Sequence, residues 1–330
     1  MSNHPDPTDP RLAVNLAGVA LRNPLLTASG TCGYGPEYAD AIDYATLGGF
    51  TTKSVTRHER PGNFPDRIAE TPGGLLNAIG LANVGIERFL TEKLPFIQTM
   101  RCPVFINVAG YTIEDYVVVC RALADVDGIA GIELNVSCPN VAKGLMFGTD
   151  PGLLRQVTRA ARDALGDKLL IVKLSPNVTD IVALAGAAIE GGAQALSLIN
   201  TYVGLVIRAK HRRAALGNVT GGLSGPAIKP LALLAVHRVY REIARDAGVP
   251  IIGMGGVQST EDAVEFLLAG ATAVAVGTAL FVDPTTPIRI ARELPAWLDH
   301  FGVKCVNDLI GTLRTESAKN QSGAAPVVVD

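Results

Sequence analysis

Short runs of Val, Ile and Leu recur along the chain, and most are followed by segments with helical spacing. The runs are Leu25–Ala28, Phe50–Ser54, Val104–Val108, Gly131–Val136, Leu169–Leu174, Ala195–Ile199, Pro250–Gly253 and Ala273–Val276. Their near-continuous apolarity predicts strands buried on both faces, as in a parallel sheet. Between them, Glu114–Ala124, Pro151–Leu165, Val178–Glu190, Ala227–Ala247 and Thr260–Ala269 carry Ala, Leu and charges with a helical period. Strand followed by helix, eight times over, predicts an α/β fold of the (β/α)8 TIM-barrel class.

Leu12–Asn23 predicts a small N-terminal β-hairpin turning at Gly18, set over the bottom of the barrel. Val55–Leu81 and Thr201–Gly225 are too long for simple turns, and both are rich in Gly and basic residues. Connections of that length are usually lids or binding loops, and both follow strands, so both belong on the active face. Residues 1–11 are polar, with Pro and Asp, and read as a disordered leader; residues 316–330 read as a flexible tail. That leaves 12–315 as one domain.

Composition narrows the function. The chain has 330 residues, 48% of them hydrophobic and 18% charged, enough for one large core. A net charge of -2, from 29 basic and 31 acidic residues, offers no excess to neutralise a phosphate backbone, so no nucleic-acid partner is expected. The longest uncharged runs, Gly191–Ile207 and Phe266–Val282, fall short of the roughly 20 residues of a spanning helix, so no membrane segment is read. Five scattered cysteines with no CxxC pair argue against a metal or iron–sulfur site within the chain and for reduced thiols in the cytoplasm.

The most informative segment is Gly131-Ile-Glu-Leu-Asn-Val-Ser-Cys-Pro-Asn140. Ile132, Leu134 and Val136 alternate with Glu133 and Asn135, then Pro139 breaks the strand. Cys138 is thereby delivered to a loop past a strand's carboxyl end, where barrel chemistry sits. Position alone leaves both a structural and a catalytic reading open. Gly253-Met-Gly-Gly256 and Val276-Gly-Thr278 follow the last two strands, and their glycines either bare amides for a phosphate or only make tight turns. Lys53 and Lys173 stand on or just past strands, where a charge snorkels outward or faces something anionic. Asn77, Asn107, Asn135 and Asn200 lie at strand ends or in a long loop. Their amides suit a flat heterocycle with alternating carbonyl and N–H groups, although a lone Asn is more often a turn former.

Taken in order, Asn23-Pro-Leu-Leu-Thr-Ala-Ser-Gly30, Thr51-Thr-Lys-Ser54, Leu76–Asn83, Asn135–Asn140, Lys173, Ile199-Asn-Thr201, Gly221–Ala227, Gly253–Gly256 and Val276–Thr278 form a specific set. The chain resembles the class 1 dihydroorotate dehydrogenases, flavin enzymes of pyrimidine biosynthesis. Gly33–Tyr38, Leu76–Leu81 and Gly221–Pro226 look like the NAD-linked subclass, whose catalytic subunit is partnered by a subunit carrying FAD and a [2Fe–2S] cluster. Ala142–Met146 and the basic Arg208–Arg213 depart from that subclass.

The resemblance implies one FMN per chain and oxidation of dihydroorotate to orotate, with Cys138 as the base. Ser29, Lys53, Ser54, Asn107, Asn135, Lys173, Ile199, Gly225, Gly255, Gly256, Gly277 and Thr278 would hold the flavin. Lys53, Asn77, Ala78, Ile79, Gly80, Leu81, Asn135, Asn200 and Thr201 would hold the substrate. A homodimer, assembled with the iron–sulfur flavoprotein as a heterotetramer, would follow. The alternatives are a flavin domain of the dihydropyrimidine dehydrogenase type, a fumarate-linked enzyme of the same family, and a non-catalytic phosphate-ligand barrel.

Overall fold

The structure is a computed structural model that describes residues 9–137 and 147–314. The eight expected strands are all present: β1 (Leu25–Thr27), β2 (Phe50–Thr51), β3 (Val104–Ala109), β4 (Gly131–Asn135), β5 (Leu169–Lys173), β6 (Ala195–Leu198), β7 (Ile251–Met254) and β8 (Ala273–Val276). They form one parallel sheet in the order β1-β8-β7-β6-β5-β4-β3-β2, each strand beside its neighbour in the chain. The remaining seam closes between β1 and β2. There Leu26 bridges Gly49, and the Gly48 N–H donates to the Leu25 carbonyl at 2.9 Å. The Thr51 N–H donates to the Thr27 hydroxyl at 3.0 Å, a side chain standing in for a ladder bond on the shortest strand. The fold is a (β/α)8 TIM barrel.

Helices Ile113–Ala124, Pro151–Leu165, Ile181–Glu190, Lys229–Val239 and Thr260–Ala269 lie close to their expected spans. Their starts are set by side-chain caps. Thr112 with Asp115 and Ser259 with Asp262 form capping boxes, while Asp150 and Asp180 accept from first-turn amides. Two helical stretches escape the sequence pattern: residues 85–97, before β3, and Thr286–Phe301, after β8. Each contains a proline, Pro95 or Pro295, which reads as a breaker although the chain runs through it.

The N-terminal hairpin pairs Val14–Leu16 with Val19–Leu21. Asn15 and Ala17 share a groove with Pro250 and Thr272, the residues just before β7 and β8, which sets the hairpin at the bottom of the barrel. Asp9–Arg11, the end of the stretch read as a disordered leader, is tied down here. Asp9 caps a short helical turn at Pro10–Leu12, and Arg11 pairs with both Asp9 and Asp299.

The two long connections are one structure rather than separate loops. Ile68–Thr71, Gly74–Asn77, Thr220–Ser224 and Tyr202–Leu205 pair as a four-stranded antiparallel sheet over the carboxyl ends of the barrel strands. Leu76 and Ala69 pack with Ala78, Ala215 and Leu216 in a satellite core. Leu75, Asn77, Gly222 and Ser224 line the barrel mouth. Glycines at 73, 74, 221 and 222 interrupt the alternation that would have announced these strands.

Thr27→Val keeps the shape at the seam but orphans the Thr51 amide, and should cost about 1–3 kcal/mol. Urea unfolding should show a lower midpoint at unchanged slope.

Candidate active site

A cavity opens at the carboxyl ends of the barrel strands, under the small sheet. Ser29, Lys53, Ser54, Asn135, Lys173, Ile199, Gly225, Gly255, Gly256, Gly277 and Thr278 line it, as do Asn77, Ala78, Ile79, Gly80, Leu81, Asn200 and Thr201. Asn107 does not. It is fully buried behind the wall, its Oδ1 accepting from Ser54 and its Nδ2 donating to Glu133 Oε1 at 2.7 Å. Cys138 lies outside the described residues; Ser137, immediately before it, lines the wall.

At the floor, Lys173 Nζ donates to Ser29 Oγ at 3.1 Å and stands 3.8 Å from Glu133 Oε1. The Glu133 carboxylate also accepts from Ser197 Oγ at 2.8 Å. An ion pair this dry is held by its hydrogen bonds as much as by Coulomb attraction. Sequence reasoning missed Glu133 and Ser197. The signal was the strand period: Glu133 shares the phase of Asn135, which lines the cavity, and so points into the barrel.

At one end lie the glycines after β7 and β8. Gly255 and Gly256 have φ of +129° and +85°, which side chains rarely adopt. A Cβ on Gly255 would come within 2.8 Å of the Ala232 Cβ, and one on Gly256 within 2.9 Å of the Gly225 carbonyl. Among the described residues, the amides of Gly256 and Gly277, past the ends of both strands, donate to no carbonyl or side chain. Unspent N–H groups on a bare backbone beside the cavity fit a phosphate.

The small sheet supplies the opposite side. Asn77 Nδ2 donates to the Gly222 carbonyl at 3.2 Å, tying together the two connections. Asn200 Nδ2 donates to Asn135 Oδ1 at 3.2 Å, and the Thr201 N–H to Asn200 Oδ1 at 2.9 Å, so three cavity residues share one polar chain. Lys53 is half-buried. Burial lowers its pKa from the ordinary lysine value; Glu37 opposes that and Arg67 adds to it. Cys32, Cys102 and Cys120 are buried, and burial pushes each thiol up to about 12, unsuited to take a proton near neutrality.

A family model for dihydroorotate dehydrogenase matches residues 11–298. The chain belongs to the dihydroorotate dehydrogenase family. A Pelobacter propionicus protein named the catalytic subunit of dihydroorotate dehydrogenase B (NAD(+)) is 52% identical over 92% of this chain and 99% of its own. A Solibacter usitatus protein provisionally named dihydroorotate dehydrogenase A (fumarate) is 50% identical over 92% of this chain and 99% of its own. The crystal structure of the Eimeria tenella dihydroorotate dehydrogenase with ferulenol superposes with a TM-score of 0.77, over 92% of this chain and 89% of that one. At 23% identity, that likeness speaks for the fold. Dihydroorotate dehydrogenases are FMN-dependent oxidoreductases, and the residues here fit that cofactor: unspent amides for its phosphate and an ammonium at the floor for its ring. No helix among the described residues is long and apolar enough to cross a membrane.

In this dihydroorotate dehydrogenase-family chain, Gly256→Val forces a strained backbone against a fixed carbonyl, at about 1–3 kcal/mol. The variant should retain at least about tenfold less FMN at equilibrium, measured by dialysis and flavin absorbance.

Proposed function

We propose that the protein oxidises dihydroorotate to orotate in pyrimidine biosynthesis. The observation that supports the reading is one cavity lined together by Gly255, Gly256 and Gly277, by the Lys173 ammonium and by Asn77, Asn135 and Asn200. FMN, when bound, would supply the acceptor for the hydride leaving C6 of the substrate. Ser29, Ser54, Asn135, Ile199 and Gly225 line its berth, and Lys173 offers fixed positive charge where reduction concentrates negative charge. Asn107 contributes from behind, by orienting Ser54. Lys53 and the Asn77–Leu81 backbone receive the substrate carboxylate, and Asn77, Asn135, Asn200 and Thr201 hold the polar edge of the ring. The Cys138 thiolate takes the C5 proton; with an ordinary thiol pKa of about 8.5, thiolate and thiol interconvert readily enough near neutrality to take the proton and release it. Substrates of the dihydropyrimidine type lack the carboxylate that Lys53 would meet.

Anaerobic dihydroorotate should bleach the yellow protein, while dihydrouracil should not. In stopped flow, Cys138→Ala should slow that bleaching by about 10²–10⁴-fold. A colourless protein, or a Cys138→Ala variant of normal speed, would overturn the reading.

For the electron acceptor we infer NAD, reached through a partner subunit with FAD and a [2Fe–2S] cluster, in a heterotetramer built on a homodimer. The name of the Pelobacter relative supports this, and the Solibacter name keeps fumarate as the second reading. The chain itself has no CxxC pair for a cluster. The isolated, FMN-loaded chain should therefore reduce dyes but reduce neither NAD nor fumarate appreciably. Fast NAD reduction should appear only on adding an iron–sulfur flavoprotein. Brisk fumarate reduction by the single chain would instead establish the second reading.

A further inference from the structure

Glu133 is a buried carboxylate for which the proposed reaction has no use. Its side chain is 2% exposed and that of Lys173 is 6% exposed, with 3.8 Å between carboxylate and ammonium. Asn107 and Ser197, on the strands β3 and β6, each donate one hydrogen bond to it, at 2.7 and 2.8 Å. A carboxylate costs much to bury, and apolar residues in place of such a pair are often neutral or stabilising, so stability does not explain its presence. Lys173 explains it better. Its ammonium touches Ser29 on the cavity wall and has Glu133 on its inner side.

We propose that Glu133 is the counter-charge that sets how strongly Lys173 acts on the flavin. With it, the floor of the cavity is electrically neutral overall; without it, the floor carries a full positive charge beside a group that gains negative charge on reduction. Asn107, Ser197 and Ser29, the other polar groups touching the pair, are uncharged. Lys53 also lines the cavity, but the charged groups acting on it are Glu37 and Arg67. The flavin is then held at a moderated potential, from which electrons can be both accepted and passed on. Glu133 is a positioning and tuning residue, not one that touches substrate.

The inference rests on FMN occupying the cavity, so flavin content is measured first, by absorbance of the full chain. A wild-type protein without flavin would sink that prior reading. The midpoint potential is then measured for Glu133→Gln, Lys173→Met and the double variant. Glu133→Gln should favour reduced flavin at least about tenfold, which is about 30 mV for a two-electron couple. Lys173→Met should shift the midpoint the opposite way. The double variant, neutral again at the floor, should fall back near wild type. A Glu133→Gln midpoint that is unmoved or lowered, or a double variant that stays as far above wild type as Glu133→Gln alone, would overturn the proposal. Ser197→Ala guards against a Gln variant that fails to fold. It keeps the carboxylate but removes one donor, leaving its negative charge less compensated, so the midpoint should fall. A yellow Ser197→Ala protein with an unchanged midpoint would also count against Glu133.

Discussion

A dry ammonium and carboxylate inside a barrel of apolar strands constrain everything around them. Neither charge could be buried alone, and together they are tolerable only with polar partners around them. The groups come from consecutive strands: Asn107 on β3, Glu133 on β4, Lys173 on β5 and Ser197 on β6. Asn107 pairs in register with Glu133, and Lys173 with Ser197. A slip of one residue in any of these strands would turn its polar group out among the helices. The pair thus ties the register of the barrel to the chemistry at its mouth.

That chemistry is divided between ends with opposite demands. The proposed phosphate cup needs bare backbone, which glycine supplies at the backbone angles of Gly255 and Gly256. The proposed substrate side needs side-chain amides that keep their orientation, and the chain from Asn135 through Asn200 to Thr201 holds them. Between them Lys173 is fixed from two sides, by Ser29 and Glu133. Pre-orientation of this kind is what makes fixed charge effective, because little reorganisation remains when the reaction occurs.

Much of this was legible in the residues. The eight strands announce themselves because parallel strands buried on both faces are almost wholly apolar, and Lys53, Lys173 and the glycine pairs stand out against that background. What stayed hidden had local reasons. The helices around Pro95 and Pro295 hide behind prolines that the surrounding turns accommodate. The sheet over the mouth joins segments far apart in sequence, and glycines break its two-residue period. Asn107 reads as a lining residue because its strand position is right, yet Ser54 stands between it and the cavity. Glu133 was in plain view within the most informative segment. Only the neighbouring strands, brought alongside by closure of the barrel, give its charge a partner.

The sheet over the mouth has a consequence for how the protein matures. Asn77 and Gly222 are 145 positions apart, and the contact between Leu75 and Ser224 spans 149. Contacts of such long sequence separation are slow to form, since loop closure must precede them. Gly255, Gly256 and Gly277, which also line the cavity, lie further along the chain still. No partial chain therefore owns a usable portion of the cavity, and a ligand that spans it recognises only the finished fold. Such a ligand stabilises the native state in proportion to the logarithm of its concentration over its dissociation constant. If FMN fills the cavity as proposed, cofactor supply would act as a clamp on folding and link the amount of intact protein to the flavin available.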